Sequence, residues 1–259
     1  MLVNSVSEWV ILAIGAVIVG SAKTALPGVG ILPVVIFATV LPAKPSTGVL
    51  LILLIVGDIV AVSLYRTNVD WVALRRLIPS VTVGLVLGSG FLLMADNSLL
   101  RPVIGITLVL LAMLGVTRWI RSRSAQKRAG ESASTLTDLR PSVARSWSCG
   151  ILGGIATMVA NAAGPVMSIY FIASGFSVVK LLGTSAWYYF VINLAKVPFS
   201  VGLGIITPSG LLLDLTLVPA VLVGALVGRS LARRINRNWF EVLIYLVTLF
   251  SAVSLLIPK

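Results

Sequence analysis

The chain has 259 residues, 58% of them hydrophobic and only 11% charged, with a mean hydropathy of +1.07. A soluble domain of this length needs far more polar surface, so the composition points to an all-α integral membrane protein. The formal net charge of +12 does not argue for nucleic acid, because the basic residues sit mostly in short loops beside apolar spans, where cytoplasmic placement and anionic lipid explain them.

Residues 1–8 carry no Lys or Arg ahead of the first apolar run. A cleavable signal peptide has a positive region there, so this run is expected to stay in the mature protein. Residues 9–22 and 28–42 are apolar pieces of about 14 residues, each about 21 Å long as a helix and short of a hydrocarbon core of about 30 Å. They are split by the polar and turn-forming residues around Lys23, Thr24, Pro27 and Gly28. The pair reads as a helical hairpin that dips into the membrane and returns; two complete, tightly packed spans are the alternative. Residues 46–65, 73–94 and 98–118 then read as full crossings. After a polar segment, 143–159 and 162–176 repeat the split pattern around Asn161 and Pro165, and 181–206, 211–232 and 238–257 supply three more crossings.

The halves share residues as well as rhythm. Pro79, Val81, Gly84 and Gly88 return as Pro219, Val221, Gly224 and Gly228, a constant 140 positions later. Gly30 and Phe37 match Gly164 and Phe171 at 134, and Gly48 and Asp58 match Gly183 and Asn193 at 135. One membrane domain over 1–259 is therefore expected: a first repeat at 9–120, a linker at 121–142 and a second repeat at 143–257. Each repeat is a broken or re-entrant hairpin plus three transmembrane helices. The linker region holds Arg121, Arg123, Lys127, Arg128 and Arg140, which sets it in the cytoplasm. Counting crossings outward puts Arg66, Arg75, Arg76, Arg229, Arg233 and Arg234 inside too. An odd number of crossings per half makes the repeats inverted, with Ser132 inside and Asn97 and Ser209 outside. Duplications of this kind recur in transporters, whose substrate sites lie where the repeats meet.

Around the tips, the run from Pro27 through Gly28, Gly30 and Pro33, the run from Asn161 through Gly164 to Pro165, and the small polar run Gly183, Thr184, Ser185 resemble the TauE/SafE family of sulfite exporters, also called the toluene-sulfonate uptake permease superfamily. The resemblance covers nearly the whole chain through length, duplication and the central basic loop. It implies transport of small sulfur-containing or organic anions across the bacterial inner membrane.

A helix starting in mid-membrane presents unpaired N–H groups and a positive dipole end. Second arms starting near Gly28–Gly30 and Asn161–Gly164 would point two such ends at one anion, with Pro165 shaping the second tip and Thr24 and Asn161 adding side-chain donors. Packing alone is the plainer reading of these Gly and Pro residues. Lys23 and Lys196 fall inside apolar segments, where a charge costs at least about 2.5–3.5 kcal/mol and usually faces a cavity or a partner. Lys196 shares a helix face with Tyr189, Asn193 and Ser200, and Ser185 and Tyr188 lie a turn or two earlier, so this stripe suits the wall of a substrate path. Neutralisation of Asp58 by Lys196 is the structural alternative. Asp58 is the acid in mid-span, either a carrier of a coupled proton or half of an ion pair.

Small residues at Ser80, Gly84 and Gly88, with their mates Ala220, Gly224 and Gly228, read as close helix packing. Trp9, Trp71, Trp119 and Trp239 read as interfacial anchors, and the lone Cys149 as a small buried hydrophobe. No GxxxxGK[ST] loop exists, and with no His and one Cys the usual intramembrane protease and metal chemistries lack their residues, so neither an enzyme nor a cofactor is expected. The expected partners are the bilayer, a small anionic substrate and protons or another coupling ion, and a homodimer stays open. An anion channel and a non-transporting membrane assembly protein are the rival functions.

Overall fold

The computed structural model of the protein describes residues 5–25, 30–96, 143–173 and 178–231, with shorter pieces at 3, 99, 102–104, 106–107, 109–110, 113, 117 and 176. The expected crossings at 98–118 (for the most part) and 238–257, and the linker at 121–142, lie outside these residues, as do Gly28, Asn97, Trp119, Ser132 and Trp239. Among the described residues there are eight α-helices and no strand: α1 Val6–Ala25, α2 Ile31–Val40, α3 Ala43–Tyr65, α4 Trp71–Met94, α5 Val143–Ala160, α6 Gly164–Ala173, α7 Val178–Gly202 and α8 Pro208–Leu231. Four segments are long and apolar enough to cross a membrane: α1, α3, α4 and Pro208–Ser230 of α8. The chain is a multi-pass helical membrane protein.

The hairpin arms are unequal, which corrects the expectation of two short pieces. α1 has 20 residues and α5 has 18, whereas α2 and α6 have 10 each. At 1.5 Å per residue the second arms reach only about 15 Å. Hydropathy undercounts α1 because its polar ends are satisfied within the helix or against neighbours. At its start Ser5 N donates to Glu8 Oε2 at 3.3 Å and Glu8 N to Ser5 Oγ at 3.2 Å, a reciprocal capping box. At its end the Thr24 carbonyl accepts from Tyr65 Oη at 2.7 Å, which occupies one of the carbonyls that a helix C-terminus leaves open.

The most extensive packing joins α1 to α8 and α4 to α5, so the first helix of each half lies against the last described long helix of the other. Glycine makes both contacts feasible, and at equivalent positions. A Cβ on Gly20 would strike the Val221 carbonyl, and one on Gly154 the Val81 carbonyl; Gly224 meets the Val17 carbonyl as Gly84 meets that of Ile151. Gly228 closes on Ser21 and Thr24, and Gly88 on Ile155 and Met158. The offsets are those of the sequence duplication. Ser80, Gly84 and Gly88 are thus packing residues, with small side chains letting backbones touch.

Between these pairs α3 crosses α7 in antiparallel fashion. Gly48 abuts the Ile205 carbonyl at one end and Gly183 the Asn68 and Tyr65 carbonyls at the other, with Asp58 and Asn193 meeting midway. The face that α7, a helix of 25 residues, turns to the cavity carries Ser185, Tyr189 and Asn193. Trp9 and Trp71 are both exposed, Trp71 beside Trp187 at 5.2 Å, while Cys149 is half-buried rather than buried.

Candidate functional site

A small cavity with an open mouth lies between the two hairpin ends and the α3–α7 crossing. Lys23 from the end of α1 and Gly30 and Pro33 from the start of α2 line it on one side. Thr157, Asn161 and Gly164 line it from the α5–α6 turn. Asp58 of α3 and Ser185, Tyr189 and Asn193 of α7 form the wall between. α4 and α8 contribute nothing to it; their role is to clasp α5 and α1.

The second tip is built by Asn161. Its φ of 51° is left-handed, a region that asparagine tolerates better than most residues, and its amide donates to the Thr157 carbonyl at 2.9 Å to end α5. Three residues later Gly164 opens α6. The side chain of Asn161 is then held on both sides, with Nδ2 donating to the Thr47 carbonyl of α3 at 3.0 Å and Oδ1 accepting from Lys196. Gly30, before α2, has helical dihedrals and no side-chain cap, so the amides at that helix start receive no side-chain oxygen from it.

The charged groups form one connected chain. Lys23 Nζ lies 2.7 Å from Asp58 Oδ1 and 4.5 Å from the centre of the Tyr189 ring. Asn193 Nδ2 donates to Asp58 Oδ2 at 2.7 Å, across the two halves. Lys196 Nζ donates to Asn161 Oδ1 and to Thr157 Oγ1 at 3.3 Å, and lies 3.5 Å from Asn193 Oδ1. Asp58 is fully buried and Lys196 is 1% exposed. A carboxylate at that depth is tolerable because an ammonium pairs with one oxygen and an amide hydrogen-bonds the other. Lys196 differs: among the described residues its three hydrogens meet only neutral oxygens.

Most of the expected site residues therefore come together. Lys23, Gly30, Asn161, Gly164, Ser185, Tyr189, Asn193 and Asp58 all line the cavity. Lys196 sits behind the wall and holds Asn161 and Asn193. The expected neutralisation of Asp58 by Lys196 is not what is found: the ion pair is with Lys23, because α1 extends far enough to bring it there. Thr24 is not in the lining; its hydroxyl donates to the Ala225 carbonyl of α8 at 2.9 Å. Pro165 belongs to the first turn of α6. Ser200 is buried, with its carbonyl accepting from Ile205 N at 2.9 Å after the end of α7.

Two residues were missed. Thr157 lines the cavity at the position that matches Lys23 in the other half, 134 residues on, so the duplication itself pointed to it. Asp214 of α8 is a second buried acid, 3% exposed, with no hydrogen-bond partner among the described residues, and it lies outside the cavity lining. An acid seven residues into an apolar helix was the available signal.

One ionic contact stands apart, at the level where α4 begins. Asp70 caps α4 by accepting from Ala73 N at 2.9 Å, pairs with Lys180 Nζ at 2.8 Å, and donates its amide to Thr184 Oγ1 at 2.9 Å. The Lys180 hydrogen bond holds its carboxyl below the usual carboxylate range.

The family model described as Sulfite exporter TauE/SafE matches residues 12–255. The chain belongs to the TauE/SafE family. It is thus a member of a family of membrane transporters that export sulfur anions such as sulfite, not of an enzyme family. No curated protein and no solved structure matches it.

Proposed function

We propose that this TauE/SafE protein is a secondary transporter that carries a small sulfur-containing or organic anion across the bacterial inner membrane, and that the anion is held in the cavity between the two hairpin ends. The observation that supports this most is the charge surplus there. Two lysines, the half-buried Lys23 and the buried Lys196, stand near one carboxylate, Asp58, and with both lysines protonated one formal positive charge is left at the wall. A buried uncompensated charge is costly, and an anion in the adjoining space removes that cost. The starts of α2 and α6, at Gly30 and Gly164, add the positive ends of two short helices.

In this reading Lys23 contacts the anion directly, Asn161, Asn193, Ser185 and Tyr189 shape its surroundings, Lys196 is a positioning residue, and Gly28 and Pro165 complete the tips. Asp58 is the coupling residue, the carboxyl that takes the coupled proton. The titratable and charged groups around Asp58 are Lys23 from α1 and Tyr189 and Lys196 from α7; α2 carries none, and α8 carries Asp214 and Arg229 outside the lining. The two halves act as inverted repeats, with the 121–142 linker cytoplasmic. Equivalent glycine contacts in α1–α8 and α5–α4 support the repeat, and the arginines flanking the linker support the orientation.

The test is sulfite flux into vesicles holding the purified protein, with and without a proton gradient. Flux that saturates, follows the gradient and disappears in Gly164→Leu supports the reading. Flux that rises linearly with concentration favours a channel, and unchanged flux in Gly164→Leu removes the tips from the site. Labelling of single cysteines at Ser132, Asn97 and Ser209 tests the inversion, which requires Ser132 to react from the opposite face to the other two.

A further inference from the structure

The cavity wall holds a built-in anion of its own. Asp58 takes one oxygen to Lys23 and the other to Asn193, so the ammonium nearest the open space is already engaged. The other lysine, Lys196, is buried behind Asn161, Asn193 and Thr157 and meets the cavity through them. In the opposite half the same two depths carry Thr157 and Asn193, neither of them charged. Asp58 is the one acid in the cavity lining among the described residues, and removing its charge changes the surplus from one to two.

We infer that Asp58 is a charge filter: as an ion-paired carboxylate it limits the cavity to anions carrying a single negative charge, and it excludes dianions of the same size. The inference rests on the anion-site reading above and concerns which anions that site accepts. The physical reason is direct. A monoanion balances the one surplus charge. A dianion brings a second negative charge beside the Asp58 carboxylate, with no further ammonium to meet it in a region of low dielectric. Removing the Asp58 charge frees Lys23, and the site then offers two positive charges to a ligand. Asp58 thereby determines specificity through Lys23, and the shape of the cavity is not involved.

The experiment compares binding of methanesulfonate, a monoanion, with sulfate, a dianion of similar size, to the purified full-length protein at neutral pH. The wild type favours methanesulfonate. Asp58→Asn moves the ratio of the two affinities toward sulfate by about tenfold or more, since one added charge contact at short range inside a protein is worth at least that factor. The double variant Lys23→Gln with Asp58→Asn returns the ratio toward that of the wild type, because the freed ammonium is gone. It also removes both halves of the ion pair together, so it reports even if Asp58→Asn alone folds poorly. Asp58→Glu keeps the preference for methanesulfonate. A purely structural ion pair would weaken both anions in parallel, so a ratio unchanged to within about twofold in Asp58→Asn overturns the filter while leaving the anion site standing. Protein that binds neither anion in any form overturns the site and the filter together.

Discussion

The outer helix pairs and the central cavity treat the duplication in opposite ways. In the pairs, α1 on α8 and α5 on α4, the contacts of Gly20 and Gly224 have counterparts at Gly154 and Gly84, down to which carbonyl a Cβ would strike. In the cavity Gly30 and Gly164 keep the repeat, whereas each charged group has an uncharged mate: Asp58 against Asn193, Lys23 against Thr157, and Lys196 against Ala61. Helix packing in a bilayer asks the same thing of both halves, a small residue where backbones touch. A single anion bound near the axis between them does not require both halves to be charged, and one ammonium from one side meets it as well as two. The repeated contacts are those of close packing, and the charged groups lie where the repeat is broken.

The largest expected effects break the outer pairs. Gly84→Val and Gly224→Val should each cost at least about 3 kcal/mol, at or beyond the upper end for overpacking because the obstacle is backbone, which cannot turn aside. The comparison demands that the two losses be similar, as read by thermal unfolding in detergent. A loss confined to one of them would show that the pairs are not equivalent.

In the centre the mates should behave unequally. Lys23→Gln leaves Asp58 buried with only an amide for company, and removing one member of a buried ion pair costs about 3–5 kcal/mol. Thr157→Val removes one hydrogen bond to Lys196 and should cost about 1 kcal/mol. The same unfolding assay checks both. Equal losses would mean that the centre is as symmetric as the shell.

The smallest effect compares the caps of α4 and α8. Asp70 accepts from Ala73 N and Thr207 from Gly210 N at 3.1 Å, each just before the first residue of its helix, but only Asp70 ionises. Its carboxyl is held below the ordinary range, so its contribution is fully present above the pKa of an unfolded Asp and is lost as pH falls through the folded value. The pair is partly exposed, so the contribution is screened and amounts to under about 1 kcal/mol. Stability measured down through the acid range should show this loss in the wild type and in Thr207→Ala, and its absence in Asp70→Asn.

The sequence made the helical class, the duplication and the cavity lining readable for particular reasons. The repeat survives in residues such as Gly84 and Gly224 because packing fixes their size. Lys23, Asp58, Asn193 and Lys196 stood out because a polar group in an apolar run needs a partner. What stayed hidden was which polar groups pair. Lys196 lies three residues from Asn193, the mate of Asp58, and looked like the counter-ion. The length of α1 decides otherwise, and that length depends on a Ser5–Glu8 capping box and on Tyr65 meeting the Thr24 carbonyl, contacts that hydropathy does not register. Thr24 looked like a ligand donor because its hydroxyl lies beside the tip, yet the tertiary partner that takes it is a carbonyl 201 residues away.

The most direct test of the central claim is to locate a bound anion. Selenite, the heavier analogue of sulfite, can be found by anomalous scattering in crystals of the protein grown with it. The account predicts a selenium peak in the cavity between Gly30 and Gly164, with an oxygen in hydrogen-bond reach of Lys23 Nζ. A peak at any other place, or an empty cavity in crystals of protein that transports selenite, would contradict it.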